Sequence, residues 1–207
     1  IRRQRQMCIR DSLKSEMITQ GPLVERFEKT ICSYTSSNYS VLTNSATSAL
    51  HISCLALGLS EGDVLWTSPN SYVASANVGL LCNAEVDFVD IDSETYNMCS
   101  TALSMKLRDA EKNGKLPKIV MPVHFAGQSC DMINIKKLSE KYGFKIIEDA
   151  SHAIGGVYKN TKIGSCKFSD ITVFSFHPVK IITTAEGGCA TTNDENIFEK
   201  LKLLSSH

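Results

Sequence analysis

Y-S-V-L-T-N-S-A-T-S-A-L-H-I-S-C-L-A-L-G, residues 39–58, changes its period partway along. Tyr39 to Thr43 is a short β-rich run, Asn44 and Ser45 are small polar residues, and Ala46 to Leu57 has the spacing of a helix that stops at Gly58. The unit is strand, turn, helix, and it repeats along the chain. Upstream, Leu23 to Tyr34 reads as a helix after the start signal Gly21-Pro22. Downstream the spacing predicts strand Val64 to Thr67, helix Tyr72 to Leu81, strand Val86 to Val89 and helix Thr101 to Lys112. Strand Lys118 to Val123, helix Met132 to Tyr142 and strand Lys145 to Glu148 complete the alternation. Such alternation implies βαβ units, hence an α/β fold with a mainly parallel sheet sandwiched by helices. After Asp149 the glycines 155, 156 and 164 break the chain into short pieces; Ile171 to Phe176 and Cys189 to Thr192 read as further strands, and a last helix starts at Asn196.

Composition fits a core-forming domain: 207 residues, 43% hydrophobic and 21% charged. The formal charge is zero and no basic stripe carries interleaved aromatics, which sets aside nucleic acid as a partner. No run nears the about 18 apolar residues of a bilayer span, and no apolar leader follows the first arginines. The chain therefore reads as cytoplasmic, with no membrane partner. Eight cysteines stand singly at 8, 32, 54, 82, 99, 130, 166 and 189 without any C-x-x-C pair, so they read as small apolar thiols and no metal site is expected. Residues 1–12 hold four of the six arginines and read as a non-native, adaptor-like segment, a native basic arm being the alternative; the domain proper is then 13–207. The pattern stops in mid-architecture at His207, as in a piece of a longer protein.

In open α/β sheets ligands sit beyond the carboxyl ends of strands, which singles out three places. Thr43 to Leu50 puts small polar residues between a strand and a helix start. Free N–H groups and the positive helix end make a phosphate seat there, with the Thr47 hydroxyl as an added donor; plain capping by Asn44 or Ser45 is the alternative. Asp149 ends an apolar strand, where a buried carboxylate needs a cationic partner, either a metal ion, an arginine or a protonated heterocycle, unless it is only a turn cap; His152 follows it. S-F-H-P-V-K-I-I-T-T-A-E-G-G, residues 175–188, contains Lys180 as the one charged side chain between Asp170 and Glu186 when His177 is neutral. A desolvated lysine is a nucleophile toward carbonyls, and a snorkelling loop lysine is the bland alternative. Together the three are the grips that pyridoxal phosphate needs. The chain lacks both G-x-x-x-x-G-K-[ST] and a strand-linked G-x-G-x-x-G, which argues against a P-loop and an NAD-dependent oxidoreductase.

Seven strings in order, I-T-Q-G-P with F-E, N-S-A-T-S-A-L, S-P-N-S-Y-V-A-S-A-N, V-D-F-V-D-I-D, P-V-H-F-A-G-Q, E-D-A-S-H-A and the Ser175 stretch, resemble the DegT/DnrJ/EryC1/StrS sugar-nucleotide aminotransferases. The resemblance implies the large domain of a PLP-dependent transferase of fold type I, aspartate aminotransferase-like and incomplete at both ends, with no C-terminal small domain. It implies pyridoxal 5'-phosphate bound through a Schiff base on Lys180, with Asp149 on the pyridine nitrogen and His152 near the 3-hydroxyl. Ala46, Thr47 and Ser175 would hold the phosphate, and Tyr72 would stack on the ring. From the residues alone, Tyr72 reads as a core residue at a helix start. The implied reaction moves an amino group from an amino acid, glutamate by family habit, to the keto carbon of a nucleotide-linked 4-keto-6-deoxy sugar, in a homodimer. A non-catalytic fragment and a dehydratase relative are the alternatives; the dehydratase branch has histidine in place of the lysine, so Lys180 argues against it. Ala185 stands where the family usually has glycine, a substitution costing about 1 kcal/mol if φ there is positive.

Overall fold

The structure, a computed structural model, describes residues 11–14, 17 and 20–206. Of the adaptor-like opening segment, residues 1–10 therefore lie outside the described residues.

The chain alternates as its hydrophobic spacing demands: α1 (Pro22–Thr35), β1 (Tyr39–Thr43), α2 (Ala46–Ala56), β2 (Val64–Thr67), α3 (Ala74–Leu81), β3 (Glu85–Phe88), α4 (Ser100–Lys112) and β4 (Ile119–Met121). Then follow α5 (Met132–Tyr142), β5 (Lys145–Asp149), the short β6 (Val157–Tyr158) and β7 (Thr161–Lys162), β8 (Ile171–Ser175), β9 (Gly188–Thr192) and α6 (Glu195–Ser205). Among the described residues, seven strands form one sheet in the order β1-β9-β8-β5-β4-β2-β3. All neighbours pair in parallel except β9, which runs antiparallel to both β1 and β8. The expected mainly parallel sheet is present, and its reversed strand arises because β8 returns through a loop rather than through a crossover helix.

Strand alternation sorts the core into two layers. Val41, Leu65, Ile119, Met121, Ile147, Ile171, Val173 and Ala190 face α2, α3 and α6. Trp66, Val120 and Ile146 face α4 and α5, while Phe174 and Cys189 face α1. A sheet covered on both faces keeps water from its inner strands, and β8 and β9 are buried throughout, the hydroxyls of Thr172, Thr191 and Thr192 being hydrogen-bonded within the chain.

Two local features differ from expectation. Tyr72 is 78% exposed and precedes α3, so the core-residue reading is overturned. The helix begins two residues later, leaving Tyr72 on the strand-to-helix loop. The glycine-broken stretch after Asp149 contains a two-residue hairpin whose turn, Lys159 and Asn160, has φ of 46° and 59°, the left-handed pair that matches strand twist.

Register brings the strand ends level. Thr43 and Ser175 both pair with Gly188, and Val123 bridges to Asp149. Gly188 makes this possible, since a Cβ there would lie 2.4 Å from Ala46 N and from the Ser45 carbonyl. Gly188→Ala is expected to destabilise the chain by about 1–3 kcal/mol in urea unfolding, through overpacking against backbone that cannot yield. A loss within about 0.5 kcal/mol would contradict this packing.

Candidate functional site

At the carboxyl edge lies a cavity of about 540 Å³ to which residues far apart in sequence contribute: Ala46, Thr47, Tyr72, Asp149, His152, Ser175 and Lys180 all line it. Its size suits a small cofactor.

The α2 start forms one end. Ser45 caps the helix, its Oγ accepting from Ser48 N at 3.1 Å. The capping alternative is thus real, but it satisfies only one first-turn donor, and the N–H groups of Ala46 and Thr47 lie where no helix carbonyl is available. Thr47 is exposed to the cavity and Ser175, the last residue of β8, is buried beneath it. The result is a donor-rich, positive pole.

Asp149 stands at the middle, 5% exposed. Ser75 Oγ donates to its Oδ2 at 2.7 Å, and Ser151 donates to Oδ1 from N at 3.1 Å and from Oγ at 2.7 Å. Ser71 and Ser75 share a further hydroxyl contact at 2.8 Å, so α3 and its leading loop fix the carboxylate from one side. Ser75 and Ser151 are functional positions that the motif reading passed over. Both lie inside strings already singled out, S-P-N-S-Y-V-A-S-A-N and E-D-A-S-H-A, and only their bonding to Asp149 distinguishes them.

Lys180 closes the third side. Its N donates to His177 O at 3.0 Å in a turn after β8, and its Nζ hydrogen-bonds His152 Nε2. The neighbours Val179, Ile181 and Ile182 are exposed, so the apolar run does not itself bury the ammonium. The cavity does so: burial pushes the Lys180 pKa below the ordinary lysine value, with the Asp149 charge opposing. Burial also lowers His152, and the Lys180 charge lowers it further against Asp149. A neutral imidazole therefore faces the amine and can accept a hydrogen bond from it. Nearby, Ala185 has φ of 71°, so the condition for its cost of about 1 kcal/mol relative to glycine is met.

Among the described residues, no group of three or more His, Cys, Asp or Glu side chains could hold a metal ion, and no helix is long and apolar enough to cross a membrane. The group that fits the cavity is an elongated one with an anionic end, for the α2 pole, and a cationic or protonated centre, for Asp149.

Comparison with known proteins points the same way. The family model described as the DegT/DnrJ/EryC1/StrS aminotransferase family matches residues 1–207. A UDP-4-amino-4,6-dideoxy-N-acetyl-beta-L-altrosamine transaminase of Campylobacter jejuni is 42% identical over 197 residues, covering 95% of this chain and 50% of its own. The solved Helicobacter pylori aminotransferase of pseudoaminic acid biosynthesis superposes with a TM-score of 0.88 at 33% identity, covering 98% of this chain and 53% of that one. A sugar aminotransferase of Streptococcus pneumoniae, solved in its PLP form, gives a TM-score of 0.82 at 30% identity, over 93% and 53% of the two chains. The chain spans about half the length of the curated relatives it matches.

Trace acetic anhydride labelling across pH should give Lys180 a titration midpoint below that of lysine in a model peptide. Asp149→Asn should move it lower still, because the Asp149 charge is what opposes the shift. A midpoint at or above the peptide value, or an upward move in the variant, would contradict the electrostatics of the site.

Proposed function

The chain belongs to the DegT/DnrJ/EryC1/StrS aminotransferase family and has its α/β, fold type I large-domain architecture, and from that we propose that it is the cofactor-bearing part of a pyridoxal-phosphate-dependent sugar-nucleotide aminotransferase. The observation that carries the reading is the convergence of a helix start, a buried carboxylate and a partly buried lysine on one cavity. The PLP form of the Streptococcus pneumoniae relative supports the choice of cofactor.

Bound pyridoxal phosphate supplies an aldehyde that combines reversibly with amines and a protonated ring that withdraws electrons. The N–H groups of Ala46 and Thr47, with the hydroxyls of Thr47 and Ser175, hold its phosphate at the positive end of α2. Asp149 keeps a proton on the ring nitrogen, for which its burial and its three donors hold it ready as an acceptor. Tyr72, exposed at the cavity mouth, covers the ring face and keeps water from it. His152, which accepts from Lys180 Nζ, would lie near the ring hydroxyl. Lys180 would be the residue that holds the cofactor, since its lowered proton affinity leaves a neutral amine able to condense with an aldehyde and, when free, able to take up or give back a proton at Nζ.

The amino donor is an amino acid, glutamate, and the acceptor is the C4 ketone of a UDP-linked 4-keto-6-deoxy-N-acetyl hexosamine, the step that leads to pseudaminic acid. The likeness to the Campylobacter and Helicobacter proteins supports that substrate class. The working enzyme is a homodimer, with the chain's exposed apolar residues Tyr72, Val73, Val179, Ile181 and Ile182 around the cavity as covered surface. Its compartment is the cytoplasm, in keeping with seven described cysteines that are all free thiols.

The full-length enzyme supplied with pyridoxal phosphate should show a visible absorption band. Borohydride treatment and peptide mapping should then place the pyridoxyl group on Lys180, and Lys180→Arg should abolish amino transfer. A missing band, or a group fixed on a different lysine, would sink the proposal.

A further inference from the structure

P-V-H-F-A-G-Q has no part in the reading above, yet its histidine is one of the most buried groups beside the cavity. His124 and Glu148 are 0% and 6% exposed at their side chains, and His124 Nε2 lies 2.7 Å from Glu148 Oε2. Glu148 immediately precedes Asp149 in β5, so the two carboxylates point to opposite faces of the sheet. Each has its own donors. On Glu148 the other oxygen accepts from Ser169 Oγ and from Thr172 Oγ1, and despite burial these bonds and His124 hold its pKa below the ordinary glutamate value.

The imidazole is fixed at both nitrogens. Cys130 N donates to Nδ1 at 3.2 Å, which places the ring proton on Nε2, donated to Glu148. Burial lowers the ring's proton affinity while Cys130 and Glu148 raise it, net upward to about 10. That upward pull comes from Glu148 and the Cys130 side chain and would act on a charged ring; in the bonding present Nδ1 accepts from the Cys130 N–H, so the ring is neutral and donates from Nε2 to Glu148.

His124 is also tied to the site through its backbone. Its N donates to Asp149 O at 3.0 Å, and Asp149 N donates to Pro122 O at 2.9 Å. Val123, His124, Phe125 and Ala126 form one wall of the cavity. That wall is held in an unfavourable shape at Ala126, whose φ is 51°, and it depends on glycine at 127, where φ is 90° and a Cβ would lie 2.6 Å from His152 O. A wall so shaped stays in place only if something over-determines it.

The structure assigns that task to His124 and Glu148: acting together as positioning residues, they hold the Val123 to Gly127 wall against Asp149 and His152 and so set the affinity of the cavity for its cofactor. The inference rests on the proposal that the cavity takes pyridoxal phosphate. Neither side chain transfers a proton in it, since both ring nitrogens and both carboxylate oxygens of the pair are committed to each other or to fixed neighbours.

The test uses the full-length enzyme and the variants Glu148→Gln, His124→Phe and the double variant, with Leu107→Ala as a control that opens a cavity in the same layer without touching the pair. Two quantities are measured: the dissociation constant for pyridoxal phosphate by spectrophotometric titration, and amide hydrogen exchange at Cys130 in the cofactor-free protein. Each single variant should weaken binding about tenfold, the scale of one charge-assisted hydrogen bond. The double variant should be no worse than the weaker single. Cys130 exchange should accelerate about tenfold in Glu148→Gln, although Glu148 does not touch that amide. Leu107→Ala should lower the melting temperature and leave both readouts unchanged. Should His124→Phe not fold, Glu148→Gln carries both readouts alone. Unchanged binding and unchanged Cys130 protection in the variants, additive losses, or an equal loss in Leu107→Ala would overturn the inference. Failure of the unaltered enzyme to bind pyridoxal phosphate would instead overturn the proposed function, and the Cys130 exchange would still judge whether the pair holds the wall.

Discussion

A carboxylate buried at the end of the middle strand is the constraint around which this domain is arranged. Asp149 closes β5, fourth of seven strands, where little water reaches it. A charge in such a place costs several kcal/mol unless donors surround it. The donors come from α3 and from the turn after β5, so the helix that follows β2 must dock with Ser75 facing β5. One side of the carboxylate is left to the cavity, where a protonated ring can complete its shell. Stability and chemistry thus ask for the same geometry.

The topology does the rest. Residues 45–47, 72–75, 149–152 and 175–180 meet although more than a hundred positions separate the first from the last, because parallel strands deliver their carboxyl ends to one edge. The one reversed strand contributes through its start instead. Gly188 lies against the first turn of α2, and the missing side chain lets β9 run beside the positive end of that helix.

Much of this was legible in the chain itself. The β1-to-α2 unit matches its expected span to within a residue, since a period change with a capping serine and a terminal glycine is a local signal. Long-range features were less open to reading. Nothing local marks β9 as antiparallel, because reversal depends on which neighbours it finds. Tyr72 looked like a core residue, since periodicity cannot tell the loop residues that lead into a helix from its first turn. For Lys180 the expected reduction in proton affinity has a different source: its apolar neighbours are exposed, and the cavity supplies the burial. Ser75, Ser151 and the His124–Glu148 pair were beyond sequence reasoning, because a serine or a histidine acquires meaning only from what its hydrogen bonds reach.

The central claim is that Asp149 is buried in order to hold a proton on a heterocyclic nitrogen. The most direct measurement is the nitrogen-15 shift of ring-labelled pyridoxal phosphate bound to the full-length enzyme, compared with the Asp149→Ala variant. The account predicts a protonated ring nitrogen at neutral pH in the parent and an unprotonated one in the variant. An unprotonated nitrogen in the parent, or no difference between the two proteins, would contradict it.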